Sequence, residues 1–170
     1  MNLKLCALSC LFISSSVLAG AAQVNWHQPD KYTDIEPVTG TKQKFRQRIF
    51  NQFEQVFAGY SAQLAEHDQL KVTVTDLDLA GEVDYNFGVN QDLRIVKAIY
   101  WPALKFSYQV IRGGSPILTE EVSLRDMGFL ERSRRTHRSE IYYEQKMLDR
   151  WWKQVASQLS QNKYASVPSD

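Results

Sequence analysis

The densest chemistry in the chain is a run of carboxylates, Asp76-Leu77-Asp78-Leu79-Ala80-Gly81-Glu82-Val83-Asp84. Hard cations such as calcium need several oxygen ligands converging on one point, which makes Asp76, Asp78, Glu82 and Asp84 the first candidate cluster. Read as a calcium loop, Asp76 and Asp78 take the first and third places, Gly81 the turn glycine and Asp84 the ninth place. The fit breaks at Ala80, which has no side-chain oxygen for the fifth place, and at Phe87, which stands where a bidentate acid belongs. No metal site is expected from this spacing. Two acids two residues apart can also serve as a general acid and base, although many strands carry such a pair as ordinary surface.

The parity of the segment sharpens the question. Leu70, Val72 and Val74 alternate with Lys71, Thr73 and Thr75, the pattern of a half-buried strand. If that strand runs on unbroken, Asp76 and Asp78 fall on the apolar face, where an unpaired carboxylate is costly. A strand end or bulge near Thr75-Asp76 would instead turn Leu77 and Leu79 inward. The remaining possibility is that the acids meet partners such as Arg94, Arg125 or Lys97.

A second candidate is the basic stretch holding Arg125, Arg132, Arg134, Arg135 and Arg138, with His137 among them. Guanidinium groups grip phosphates and carboxylates in bidentate fashion, so this stretch is a candidate anion-binding surface. The alternative is a solvated turn before the last helix. The three histidines, His27, His67 and His137, are isolated and match no metal spacing. Gly113-Gly114-Ser115-Pro116 is a turn and lacks the glycine that a nucleophile elbow needs after its serine. Neither a cofactor nor a catalytic motif is legible.

The elements that must position these groups are readable in outline. Phe45, Ile49, Phe53, Val56, Phe57, Tyr60 and Leu64 recur at spacings of three and four, which predicts an amphipathic helix over residues 41–66 capped by Thr41. Ile141, Leu148, Trp152, Val155 and Leu159, widened by Tyr143, Met147 and Trp151, predict a second over residues 139–161. Residues 104–111 and 117–124 alternate across a Gly113-Gly114 turn and read as a hairpin. Short strands are expected around Val24-Trp26 and Leu93-Ile95, with residues 76–91 otherwise irregular. Strands grouped beside two helices predict an α+β fold: a mainly antiparallel sheet of four to five strands with both helices on one face.

Length and composition set the remaining bounds. The 170 residues suit one domain, and 44% hydrophobic with 23% charged residues excludes a disordered tail or a polytopic membrane protein. Twenty basic against 19 acidic residues gives no bulk basic excess, so no nucleic-acid partner is expected. Lys4 followed by an uncharged apolar run to Leu18 and then Ala19-Gly20-Ala21 reads as a signal peptide over residues 1–21. The apolar run is too short to span a bilayer. A single domain over residues 22–170 would then remain. Both cysteines, Cys6 and Cys10, lie in the leader, so the mature chain would lack thiols, disulfides and thiolate metal sites.

Four stretches resemble one family. They are Lys31-Tyr32-Thr33-Asp34-Ile35, residues 75–82 around Asp76 and Asp78, Leu124-Arg125-Asp126-Met127 and Tyr143-Glu144-Gln145-Lys146-Met147-Leu148. Together they are similar to the secreted bacterial family known as domain of unknown function 3016. The resemblance implies export from a Gram-negative cell and a single domain. It implies no activity, cofactor or catalytic residue. The resulting expectation is a periplasmic, non-enzymatic module that binds an envelope protein or an anionic envelope component. The alternative is a metal-assisted periplasmic hydrolase that uses the acidic segment.

Overall fold

A computed structural model describes residues 22–85, 93–133 and 139–165, with side chains described as far as 161. Six strands and two helices follow in the order β1 (Gln23–Trp26), α1 (Lys42–Ser61), β2 (Asp68–Asp78), β3 (Glu82–Asp84), β4 (Leu93–Ile95), β5 (Ala103–Arg112), β6 (Ser115–Arg125) and α2 (Tyr142–Ala165). The main sheet has the order β1-β2-β5-β6, with β1 parallel to β2 and the other pairs antiparallel. β3 and β4 form a separate two-stranded ribbon. The fold is therefore α+β, with a four-stranded, mainly antiparallel sheet.

Alternation decides which face of the sheet is covered. Leu70, Val72 and Val74 of β2 and Leu104, Phe106, Tyr108 and Val110 of β5 are all buried. Phe57 of α1 meets the Phe106 ring edge-on at 6.0 Å. Trp151 of α2 meets Phe106 at 4.9 Å and Tyr108 at 5.0 Å. Both helices thus lie on the same face, and their apolar stripes close one core. The polar members of the same strands, among them Lys71, Thr73, Lys105 and Ser107, form the opposite face.

The expected bulge is present. Pairing between β2 and β5 slips between Val74 and Asp76, leaving Thr75 as the extra residue. Beyond it Leu77 and Leu79 are buried, and Asp76 and Asp78 are carried to the polar face. One inserted residue therefore exchanges two costly buried carboxylates for two leucines.

Helix α1 begins with cations where the helix dipole is already positive. Ion pairs to flanking acids offset this: Lys42 with Glu36, Arg46 with Asp30 and Arg48 with Glu140. Thr41 caps the helix loosely, its hydroxyl accepting from the Lys44 N–H at 3.4 Å. Gly59 lies in the helix interior with nothing within 4 Å of where a Cβ would stand. Gly59→Ala is expected to stabilise the protein by about 0.5–1 kcal/mol, read as a higher urea midpoint at unchanged slope.

Candidate functional site

The end of the sheet beyond the bulge carries the most developed site. Asp78 pairs with Ala103, and Ala103 pairs with Arg125. On the other side Asp34 bridges to Asp78 in parallel. Asp34, Asp78, Ala103 and Arg125 thus form one row across the sheet, offset by one residue from the core-facing row of Leu77, Leu104 and the partly buried Leu124. The loop before α1, the β3–β4 ribbon and residues 99–101 wall this row into a cleft of about 530 Å³. Thr33, Glu36, Tyr85, Ile99, Tyr100 and Trp101 line it, with Tyr85 59% and Ile99 64% exposed.

Arg94 of β4 fixes the walls. Its Nη1 donates to Asp34 Oδ2 at 2.7 Å and to the Gly81 carbonyl at 2.9 Å. Its Nη2 donates to the Glu36 carbonyl at 2.8 Å and to Asp34 Oδ1 at 3.2 Å. One guanidinium therefore ties the loop, the β2–β3 turn and the ribbon together. The turn needs Gly81, whose φ is +84°. A Cβ there would stand 2.8 Å from the Ile95 carbonyl oxygen, which belongs to backbone and cannot swing away. Gly81→Ala is expected to cost at least about 2 kcal/mol from left-handed strain plus this clash, measured as a lower urea midpoint.

The acids of the run do not converge. Asp76 accepts from the Thr33 N–H and hydroxyl, both at 2.9 Å, and from Lys105 Nζ at 3.1 Å. Burial pushes its carboxyl upward, but these donors outweigh burial and hold it below the ordinary range. Asp78 receives no side-chain hydrogen bond among the described residues. Burial, with the Asp34 and Asp76 charges adding and Arg94 and Arg125 opposing, lifts it to about 6. Glu82 is hydrogen-bonded with Tyr100, and Asp84 lies on β3 against Leu93 of β4. No three His, Asp or Glu side chains among the described residues are grouped to hold a metal ion.

The basic stretch is also divided by the fold. Arg125 ends β6 and stacks its guanidinium over Trp101 at 5.7 Å, so it belongs to the cleft. Arg132 pairs with the buried Asp126, which Arg150 of α2 also holds. Arg134, Arg135 and Arg138, with His137, lie outside the described residues. A second hollow, of about 350 Å³, runs between α1 and α2. Several of its polar groups are already matched, Gln63 by Trp152 Nε1 at 2.9 Å, Asp149 by Tyr60 at 2.9 Å and Gln52 by Ser139 at 3.2 Å.

One functional group has no counterpart among the sequence candidates. Glu144 of α2 is 1% exposed, and its Oε1 accepts from the Ala80 N–H at 2.7 Å. Its Oε2 has no hydrogen-bond partner among the described residues. Burial raises it to about 7, against the Ala80 and Glu144 N–H groups and the Arg94 charge, with Asp78 adding. The signal was available: Ile141, Glu144, Leu148, Trp151 and Val155 share one helical stripe, and Glu144 is its only ionisable member.

Fold and site together define a small α+β protein whose two helices cover one sheet face and whose charged, aromatic-walled cleft opens at the sheet's end. No helix among the described residues is long and apolar enough to cross a membrane. The chain belongs to the family described as Protein of unknown function (DUF3016), whose model matches residues 20–154. That span includes the cleft, Arg94, Arg125 and Glu144. No curated protein and no solved structure matches the chain at a significant level.

Proposed function

We propose that this is an exported periplasmic protein that binds a small polar component of the cell envelope in the Asp78–Arg125 cleft without transforming it. The observation that carries this reading is Asp78: a half-buried carboxylate with no side-chain hydrogen bond among the described residues, in a cleft whose loop and ribbon are braced by the Arg94–Asp34 pair. Buried polar groups normally have partners, so an acceptor left open in a preformed cleft suits a ligand. Rigid walls and a few aimed polar groups are what a binding site requires. The leader at residues 1–21 and the family resemblance support export.

The test has two parts. Osmotic-shock fluid should contain the protein with Ala22 as its first residue. Its melting temperature should rise with the small-molecule fraction of that fluid, and Trp101→Ala should remove the rise. A cytosolic chain that retains Met1 would contradict export. A rise that survives Trp101→Ala would contradict the cleft. A rise produced by calcium, magnesium, manganese or zinc alone would favour the metal-assisted alternative.

A further inference from the structure

The cleft contains two opposite charges that are not spent on each other. Asp78 and Arg125 flank Ala103, so their Cα atoms are about 10 Å apart, two strand spacings. The residue between them contributes only a methyl group, which leaves a notch rather than a ridge. Both side chains line the same cleft, yet no carboxylate among the described residues lies within ion-pair distance of Arg125. The Trp101 ring holds that guanidinium in place and leaves its fork of donors available. On the opposite bank the other carboxylates have partners: Asp34 has Arg94, and Glu36 has Lys42. Among the described residues, Asp78 lines the notch with no hydrogen bond to either carboxylate oxygen.

We infer that the notch binds an amino-acid-type zwitterion, either a free amino acid or a dipeptide, with its ammonium on Asp78 and its carboxylate on Arg125. The inference rests on the cleft being the ligand site and adds the class of ligand. A zwitterion satisfies both charges at once, whereas a neutral ligand would leave the half-buried Asp78 without a counter-charge and the exposed fork of Arg125 unused. An amino acid separates its two charged groups by one backbone unit, and a dipeptide adds about 3.5 Å. Both lengths fall inside the 10 Å row once the two side chains lean inward. Tyr85, Ile99 and Tyr100 offer apolar surface for the ligand's own side chain. With Asp34 paired to Arg94 and Glu36 to Lys42, the cleft's remaining charges are Asp78 and Glu82 against Arg125. This balance favours ligands with an additional amino group over acidic ones.

The experiment is isothermal titration of the mature protein with dialanine, dilysine and diglutamate, and with N-acetylated and C-amidated dialanine. Dilysine is expected to bind more tightly than dialanine, and diglutamate least. Acetylating or amidating dialanine should each weaken binding on the order of tenfold, about 1.4 kcal/mol. Asp78→Asn should become insensitive to acetylation while still responding to amidation, and Arg125→Gln should show the reverse. End-blocked ligands need no variant, so a misfolded mutant does not compromise the result. Equal binding of free and blocked dialanine overturns the inference. So does the absence of zwitterion binding at millimolar concentration. If the periplasmic small-molecule fraction still raises melting through Trp101 in that case, the cleft reading stands and only the ligand class falls.

Discussion

Trp151→Ala is expected to remove about 3–5 kcal/mol of stability, the usual cost of emptying a large aromatic site in a core. Trp151 lies 6.5 Å from Phe57, 6.3 Å from Tyr60, 4.9 Å from Phe106 and 5.0 Å from Tyr108, ring centre to ring centre. It is therefore the point where α1, α2 and the sheet meet. Truncation leaves a cavity walled by rigid rings that cannot collapse around it. Melting temperature should fall on the order of 10 °C. A fall of only one or two degrees would mean that the helices do not share one core. Trp151→Phe should recover most of the loss.

The second large effect is a dependence on pH that runs opposite to ordinary acid denaturation. Glu144 has its folded pKa raised to about 7 from 4.5, so the folded state binds the proton more tightly than the unfolded chain. Between those two values the folded state holds more protons, and stability must fall as pH rises. The protonated group's advantage is fully present below about pH 4.5 and lost by about pH 7, beyond which the profile is flat. The displacement corresponds to about 3 kcal/mol. Asp78, lifted to about 6, acts in the same direction more weakly because solvent reaches it. Asp76 and Glu140, both lowered, act in the opposite direction and lose their contribution as pH falls toward their own range. Glu144→Gln keeps an oxygen for the Ala80 N–H but cannot ionise. Urea melts from about pH 5 to about pH 8 should decline for the wild type and be nearly flat for Glu144→Gln. A variant profile as steep as the wild type would place the proton elsewhere.

Local chemistry made much of the fold legible. The hairpin could be read because Gly113 and Gly114 separate two alternating runs, and the structure extends each run by only a residue or two. Parity anticipated the bulge at Thr75, since a regular strand would have buried Asp76 and Asp78. The β3–β4 ribbon was half hidden. Leu93–Ile95 could be read, but Glu82–Asp84 is three residues long and embedded in an acidic run that reads as loop. The parallel docking of Gln23–Trp26 on β2 joins segments more than forty residues apart, and no local pattern encodes it.

The site was less legible because sequence neighbours diverge and distant residues converge. Asp76 and Asp78 share a face, yet Thr33 and Lys105 occupy the first and leave the second open. Arg125 and Arg132 appeared to be one patch, but strand register assigns Arg125 to the cleft and Asp126 draws Arg132 away. Trp101 and Asp34 gave no signal in isolation, since their role depends on pairing across β2, β5 and β6. Arg94 was among the partners considered for the acids. The structure gives it Asp34 rather than Asp76.

Amide chemical-shift mapping tests most directly whether the sheet-end cleft is where this protein meets its ligand. Isotopically labelled protein would be titrated with the small-molecule fraction of periplasmic fluid. The account predicts perturbations centred on residues 33–36, 78–85, 99–103 and 125, with the helix pair silent. Perturbations centred instead on residues 52–63 and 139–149, the hollow between the helices, would contradict it.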